Sequence, residues 1–329
     1  MNAIKTAVIG VGRLGRNHAR WLKNIAGSEL VGVYDCDQKR SAEVAKEFDS
    51  RSFSSLDETL EEAEAISIAA STSAHFSLAT RALESGKHLL VEKPFTETAA
   101  EAQTLIELAN KKNLTLTVGH IERFNPAFRS LESKNIAPRF IEAHRMISFD
   151  PRGADVAVIL DLIVHDIDLA LTLISSPVKS IEASAVKVVS DYADIANARI
   201  TFKCGAVANL TASRISLTPM RKLRIFQPSG YFSLDFQTRR LETYTLIKNG
   251  SSPDTKTNQF QRKIPLGKSG ASVLFESIVD TKSDMLEDEL VAFLAAVRGD
   301  AEVVVTARDA KLALEIAIEV ERIAGAAEN

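Results

Sequence analysis

The sequence is short of cysteine, of charge of one sign and of long apolar runs, and each shortage closes off a class of protein. Its 329 residues hold two cysteines, Cys36 and Cys204, too few for a disulfide framework and in keeping with a reducing compartment. No apolar run approaches the roughly 20 residues that a membrane-spanning helix needs, so no membrane partner is expected. Against 40 Lys and Arg stand 43 Asp and Glu, a formal net charge of −3. Without a broad basic field, nucleic acid is not an expected partner either. The six histidines do not gather with cysteines or carboxylates at ligand spacing, apart from one group discussed below, and no metal site is expected. The opening "MNAIKTAVIG" runs almost directly into a strand pattern with no apolar signal-peptide core, which points to the cytoplasm.

What is present is a chain too long for one ordinary core, so two domains are expected. It is 45% hydrophobic and 25% charged, the balance of a globular protein. Over residues 1–122, short apolar runs alternate with helical patterns. "TAVIG" (6–10), "ELVGVYD" (29–35), "AISIAA" (65–70), "KHLLVE" (87–92) and "LTLTVG" (114–119) read as strands. Several are apolar at consecutive positions, as strands buried on both faces are. Helical patterns run over 13–25, 55–63, 74–86 and 98–112. The alternation implies βαβ units and an α/β fold with a doubly wound parallel sheet.

Over residues 123–329 the rhythm changes. Longer strand patterns at 139–149, 179–189, 197–213, 222–227, 230–236 and 240–247 follow one another through turns such as "KCG" and "PSG". They predict an α+β domain built on a large, mainly antiparallel sheet. A helix over 158–174 is expected to pack on that sheet, and helices at 288–299 and 307–325 end the domain. The polar stretch "NGSSPDTKTNQ" (249–259) reads as a loop. One face of the sheet is expected to lack cover, with Val207, Leu210 and Ile225 pointing outward. Such a face calls for a partner surface, and a homodimer or homotetramer through this sheet is expected.

"AVIGVGRLGRNHARWL" contains Gly10, Gly12 and Gly15 as G-x-G-x-x-G, preceded by a strand and followed by an amphipathic helix. The second strand ends in Asp35, 20 residues after Gly15, where the dinucleotide fingerprint places its acid. Gly10 permits the tight turn, Gly12 lets a pyrophosphate approach the backbone, and Gly15 lets helix and strand pack closely. The helix N-terminus then offers free N–H groups to phosphate. Asp35 can accept from a ribose 2′-OH and would repel a 2′-phosphate, which favours NAD over NADP. Arg13 and Leu14 lie inside the fingerprint, and Ser71, Thr72 and His75 follow the next strand. All are candidate cofactor contacts, Ser71 and Thr72 serving equally well as a helix cap. "LLVEKPF" places Glu92 and Lys93, two further candidate cofactor contacts, at the end of a further strand on the same edge. A lysine there can hydrogen-bond a substrate hydroxyl and lower its pKa, although a charged pair after a strand is also an ordinary solvated loop.

"VILDLIVHDIDLALTLI" (158–174) is apolar yet carries Asp161, His165, Asp166 and Asp168. On an α-helix Asp161, His165 and Asp168 share one face, either as a polar edge or as a chemical site. Taken with the G-x-G-x-x-G turn and "ALESGKHLLVEKP", the D-x-x-x-H of "DLIVHDID" resembles the glucose–fructose oxidoreductase, inositol dehydrogenase and rhizopine-catabolism (Gfo/Idh/MocA) family over essentially the whole chain. That resemblance implies a Rossmann domain followed by an open-faced α/β domain, with a sugar or polyol bound between them. It puts the catalytic lysine on Lys93 and the aspartate and histidine of D-x-x-x-H on Asp161 and His165, with Asp168 structural. The family's Thr-Pro after the fourth strand is replaced by Ala70-Ser71, and of the glycine-rich approach to the helix only Gly153 remains.

"GHIERFNPAF" (119–128) adds His120, Arg123 and Asn125 as candidate substrate contacts, Arg123 alternatively anchoring a hinge. With "FIEAHR" and "DLIVHDIDLAL", this stretch resembles the nucleotide-sugar branch, the UDP-N-acetylglucosamine 3-dehydrogenases. The resemblance implies oxidation of a secondary hydroxyl by hydride transfer to NAD. Arg123 and "MRKLR" (220–224) can offer cations to a diphosphate, while the latter also suits a solvated strand face. Two further readings stay open, a polyol or free-sugar dehydrogenase of the same family and a non-enzymatic dinucleotide sensor.

Overall fold

Strands β1 (Ile4–Ile9), β2 (Ser28–Tyr34), β3 (Arg51–Ser52), β4 (Ala65–Ile68), β5 (His88–Glu92) and β6 (Leu116–Gly119) form one parallel sheet in the order β3-β2-β1-β4-β5-β6. The order reverses between β1 and β4, the crevice where such sheets bind nucleotides. The intervening helices are α1 (Arg13–Asn24), α2 (Gln38–Glu47), α3 (Leu56–Glu62), α4 (Thr72–Glu84) and α5 (Ala99–Lys112). Several begin where the sequence supplies a cap. Ser55 accepts from the Glu58 amide, and Thr98 and Glu101 form a reciprocal capping box. Helix α2, which the periodicity above does not pick out, starts on Asp37 and buries only Ser41, Val44 and Ala45. The computed structural model describes residues 3–150, 156–247, 260–265 and 272–326; the expected loop at 249–259 and Gly153 lie outside them.

The chain divides into two units, residues 1–121 with 284–315 and residues 122–283 with 316–329. Sequence pattern assigns the whole helical tail to the second domain. Instead α8 (Met285–Arg298) lays Leu286, Leu290, Phe293 and Leu294 into the core of unit one, beside Ala19, Leu22 and Leu90. Its apolar stripe matches the outer face of α1, which would otherwise stay bare.

Unit two contains the 3-10 turn ending at Phe124, α6 (Pro126–Arg129), β7 (Phe140–Met146), a π-helical segment (Ile159–Ile163) and α7 (Val164–Leu173). Strands β8 (Val178–Val186), β9 (Ile195–Phe202), β10 (Val207–Ser213), β11 (Met220–Gln227), β12 (Gly230–Asp235) and β13 (Arg240–Ile247) follow, then β14 (Phe260–Pro265) and β15 (Ser272–Val279). The last helix is α9 (Ala307–Ala326). The sheet has nine strands in the order β14-β15-β13-β12-β11-β7-β10-β9-β8, antiparallel except between β7 and β10. The pattern expected at 197–213 is a hairpin of β9 and β10, turned at Gly205 with φ +85.

Strand period decides which side chains face outward. Leu210 and Ile225, expected outside, are fully buried beneath the helical cover, and Val207 is half-buried. The π segment and α7 pack on β10. The outward row is instead aromatic. Phe140, Phe226, Tyr231, Tyr244 and Phe275 come from five adjacent strands, with ring centroids 5.8, 5.5, 4.1 and 5.0 Å apart in turn.

Beneath the covering helix lies a buried ionic network. Arg145 occupies an inward position of β7, after Ile141 and Ala143. Its guanidinium donates to both oxygens of Asp166, at 3.0 and 2.8 Å, and to Glu122 at 2.6 Å. Two residues further along α7, Asp168 accepts a bidentate pair of bonds from Arg123 at 2.8 and 2.5 Å. Burial opposes the charge on Arg145, but the two carboxylates outweigh it and hold its pKa above the ordinary guanidinium value. Replacing Arg145 by Met would leave Asp166 and Glu122 buried with too little positive charge. The expected cost is about 3–5 kcal/mol in chemical denaturation. A loss below about 1 kcal/mol would show that the network is not what secures the helix.

Candidate active site

The fingerprint glycines meet three different steric demands. Gly10 ends the first strand at φ +82, and a Cβ there would lie 2.7 Å from the Ala70 backbone. A Cβ on Gly15 would lie 1.9 Å from the Gly10 carbonyl oxygen, so α1 can start this close to β1 only without a side chain. A Cβ on Gly12 would meet nothing within 4 Å, because that side is open. Gly12 is also the N-cap of α1, and no side chain caps the helix there. The first-turn amides are thus available to an anion.

A cavity of about 450 Å³ opens on this turn, lined by Gly10, Gly12, Asp35, Cys36, Arg40 and Ser71 among others. Asp35 is buried, its Oδ2 accepting from the Val11 amide at 2.8 Å and its Oδ1 from the Asp37 amide at 2.9 Å. Arg40 Nη1 stands 3.4 Å from both oxygens. The carboxylate is fixed in place and retains lone pairs for a ribose hydroxyl. An open glycine, uncapped amides and a fixed acid beside one cavity fit the phosphate and adenosine ribose of a dinucleotide. Arg13 and Leu14 are exposed at the start of α1. Ser71 lines the cavity, while Thr72 is half-buried as the first residue of α4.

Two expected cofactor contacts are engaged elsewhere. His75 is buried, with Nδ1 2.9 Å from the Pro94 carbonyl and Nε2 3.1 Å from that of Ala70. It ties the loop after β4 to the turn after β5. Glu92 turns its carboxylate inward toward His18 of α1, at 3.1 Å. Lys93 is half-buried on that turn, its amide donating to Glu92 at 3.2 Å.

In unit two the polar residues of 158–174 fall into two sets. Asp161 and His165 are half-exposed, whereas Asp166 and Asp168 are buried on their arginines. Asp168 stays one helical turn from His165 within α7, yet its carboxylate is taken up by Arg123 in the interior. The π turn over Ile159–Ile163 carries Asp161 and changes the register ahead of α7. The approach to this segment is clamped by Arg214, which donates to the Val156 and Ala193 carbonyls.

Among the expected substrate contacts, Arg123 has its guanidinium committed to Asp168 in the interior, because a buried cation needs a buried acid. Asn125 is fully buried and caps α6, accepting from the Ala127 amide and donating to Glu122 and the Phe236 carbonyl. His120 is 2% exposed after β6. In "MRKLR", Lys222 lies 3.7 Å from Asp235 and Arg224 3.4 Å from Glu142, cross-strand pairs on the solvated face. Sequence reasoning passed over Arg145 and His18. The signal for Arg145 was available, a charge at the inward parity of an alternating strand.

Comparison with known proteins bears on the whole chain. A family described as "Oxidoreductase family, NAD-binding Rossmann fold" (GFO_IDH_MocA) matches residues 4–120, and the GFO/IDH/MocA C-terminal domain matches 117–232. The UDP-N-acetylglucosamine 3-dehydrogenase of Acidithiobacillus ferrooxidans is 45% identical over 242 residues, covering 73% of this chain and 77% of the relative. The solved structure of that organism's enzyme, GnnA, superposes with a TM-score of 0.88 at 37% identity, over 99% of each chain. A scyllo-inositol 2-dehydrogenase (NAD(+)) of Bacillus subtilis is 28% identical, covering 96% of this chain and 92% of the relative. GenD2 from gentamicin A biosynthesis, solved in complex with NAD, shares the fold with a TM-score of 0.78 at 19% identity, over 99% and 95% of the two chains.

The glycine geometry separates folding from binding. Gly12→Ala meets open space, so it should melt with the wild type yet bind NAD at least about tenfold more weakly. Gly15→Ala should lose both stability and binding. Thermal melts with NAD titration check both, and a Gly12→Ala protein that binds NAD normally would remove the phosphate role of this turn.

Proposed function

Since the chain belongs to the Gfo/Idh/MocA family of oxidoreductases, we propose that it is an NAD-dependent dehydrogenase of a nucleotide sugar, oxidising the C3 hydroxyl of UDP-N-acetylglucosamine. The observation that carries this is 45% identity to an enzyme of that name over 73% of the chain. Retention of Lys93, Asp161 and His165 supports an enzyme over a sensor that only binds dinucleotide. The cytoplasm is the proposed compartment.

NAD⁺, when bound, accepts the hydride from the carbinol carbon. In this proposal His165 takes the hydroxyl proton as general base, and the Lys93 ammonium hydrogen-bonds the same oxygen as charge develops on it. The alcohol becomes a ketone and one proton leaves to solvent. Asp161, one turn before His165, orients that imidazole or a sugar hydroxyl. Asp35 selects NAD over NADP by accepting from the ribose 2′-OH and repelling a 2′-phosphate. Arg123, Asn125, His75 and Glu92 serve as supports rather than as ligand contacts.

The proposal includes a homodimer or homotetramer formed through the aromatic face of the nine-stranded sheet. Five half-buried rings in one row make a larger apolar patch than scattered surface residues do. Light scattering should give a dimer or tetramer mass, and a monomer at micromolar concentration would dismiss this part.

NADH absorbance should rise when the protein and NAD⁺ meet UDP-N-acetylglucosamine in the presence of a carbonyl trap. Lys93→Ala and His165→Ala should bind NAD normally and lose turnover by at least about a hundredfold. Signal with myo-inositol and none with the nucleotide sugar would transfer the proposal to the polyol reading. Variants that turn over like the wild type would end the catalytic assignment.

A further inference from the structure

The chemistry above uses Lys93 but leaves unexplained a set of buried polar groups behind the turn that carries it, all within unit one. Glu92 Oε1 lies 3.1 Å from His18 Nε2, an ion-pair distance with poor hydrogen-bond alignment. Its Oε2 accepts from the Lys93 amide. His18 is fully buried, and its Nδ1 is 2.8 Å from Ser67 Oγ of β4. Gly119 of β6 makes room for the carboxylate, since a Cβ there would stand 2.7–2.8 Å from its atoms. Glu289 of α8 is also buried, at 3% exposure, and neither of its carboxyl oxygens has a hydrogen-bond partner among the described residues.

A buried carboxyl without a donor is disfavoured as an anion, and a second carboxylate nearby disfavours it further. Burial raises the Glu289 carboxyl well above its ordinary range, and the charge of Glu92 adds to the effect. Glu92 of β5 is the charge that acts on Glu289, and His18 of α1 is the titratable group standing against Glu92. Glu289 therefore keeps its proton to higher pH than an ordinary carboxyl does.

We propose that Glu289 and His18 are positioning residues for the reaction: His18 stands against the Glu92 carboxylate, Glu289 buries a second carboxyl on α8, whose Leu290 shares a core with Ala19 of α1 and Leu90 of β5, and through the bond that Glu92 accepts from the Lys93 amide they fix the turn that presents the Lys93 ammonium. The catalytic part rests on the role given to Lys93 above. The proton on Glu289 is what allows a second buried carboxyl group in this part of the core. When it leaves, like charges oppose each other and the support for the amide loosens. Because the folded-state pKa lies above the unfolded one, the stabilisation is complete below the ordinary carboxylate range and is lost as pH rises through the raised value.

Three variants of the full chain test this, Glu289→Gln, Glu289→Leu and His18→Gln. Glutamine keeps the shape and polarity of a neutral acid without titrating. Melting from about pH 5 to about pH 9 should therefore show Glu289→Gln gaining on the wild type as pH rises. Hydrogen exchange of the peptide spanning Glu92–Phe95 should quicken at least about tenfold in Glu289→Leu and His18→Gln and stay near wild type in Glu289→Gln. With the sugar substrate, kcat should fall about tenfold in the first two while the Kd for NAD moves less than about threefold, and Glu289→Gln should recover most of the loss. A Glu289→Gln melting curve parallel to wild type, or unchanged exchange in Glu289→Leu, would overturn the inference. The melting and exchange arms need no substrate. Silence of the wild type toward the sugar would thus defeat the functional reading while these arms still decide the positioning role.

Discussion

One buried guanidinium organises the second unit. Arg145 stands at an inward position of β7 and joins Glu122, ahead of α6, to Asp166 on the covering helix. A buried charge stripped of its partner costs several kcal/mol, so strand, turn and helix cannot shift independently. Arg123 and Asp168 repeat the device two residues further along the helix. With its inward acids anchored, the helix leaves Asp161 and His165 half-exposed, the state that the proposed general base and its neighbour require.

In the first unit the governing quantity is space. Gly15 lets the helix start against the Gly10 carbonyl, and this close start aims the uncapped amides at the open side of Gly12. Gly119 makes room in the same way for the Glu92 carboxylate behind the Lys93 turn. The two are equivalent physically, a missing side chain that admits an anion. In the first the anion would be the phosphate of the proposed cofactor, and in the second it belongs to the protein.

Most of the fold was legible because its signals are local. Consecutive apolar residues mark the parallel strands, Ser55 and Thr98 mark helix starts, and G-x-G-x-x-G has a fixed distance to Asp35. The site was legible in part. His75, Glu92, Arg123 and Asn125 are polar residues in apolar surroundings, and that pattern suits a ligand contact and a buried support equally. What separates the two is a partner remote in sequence, as Asp168 is from Arg123, and no local period reports it. The π turn ahead of α7 lacks a residue code altogether, so the register of Asp161 against His165 could not be read from α-helical spacing. The docking of α8 in unit one depends on which apolar stripe lacks a cover, a property of the assembled core.

These supports bear on enzyme against sensor. A dinucleotide sensor needs the glycine turn and Asp35, and nothing in binding alone requires buried ion pairs under a second helix. Such pairs are poor devices for stability, since well-packed apolar residues of similar volume hold a helix as well or better. What they supply is position, because a bidentate guanidinium fixes its carboxylate in angle as well as distance. Proton abstraction from a carbinol demands that accuracy, since a base displaced by about an ångström loses much of its rate. In the proposed reaction, Arg145 and Arg123 beneath Asp161 and His165, like His18 and Glu92 beside Lys93, spend stability on placing the three groups that this chemistry would use and binding alone would not.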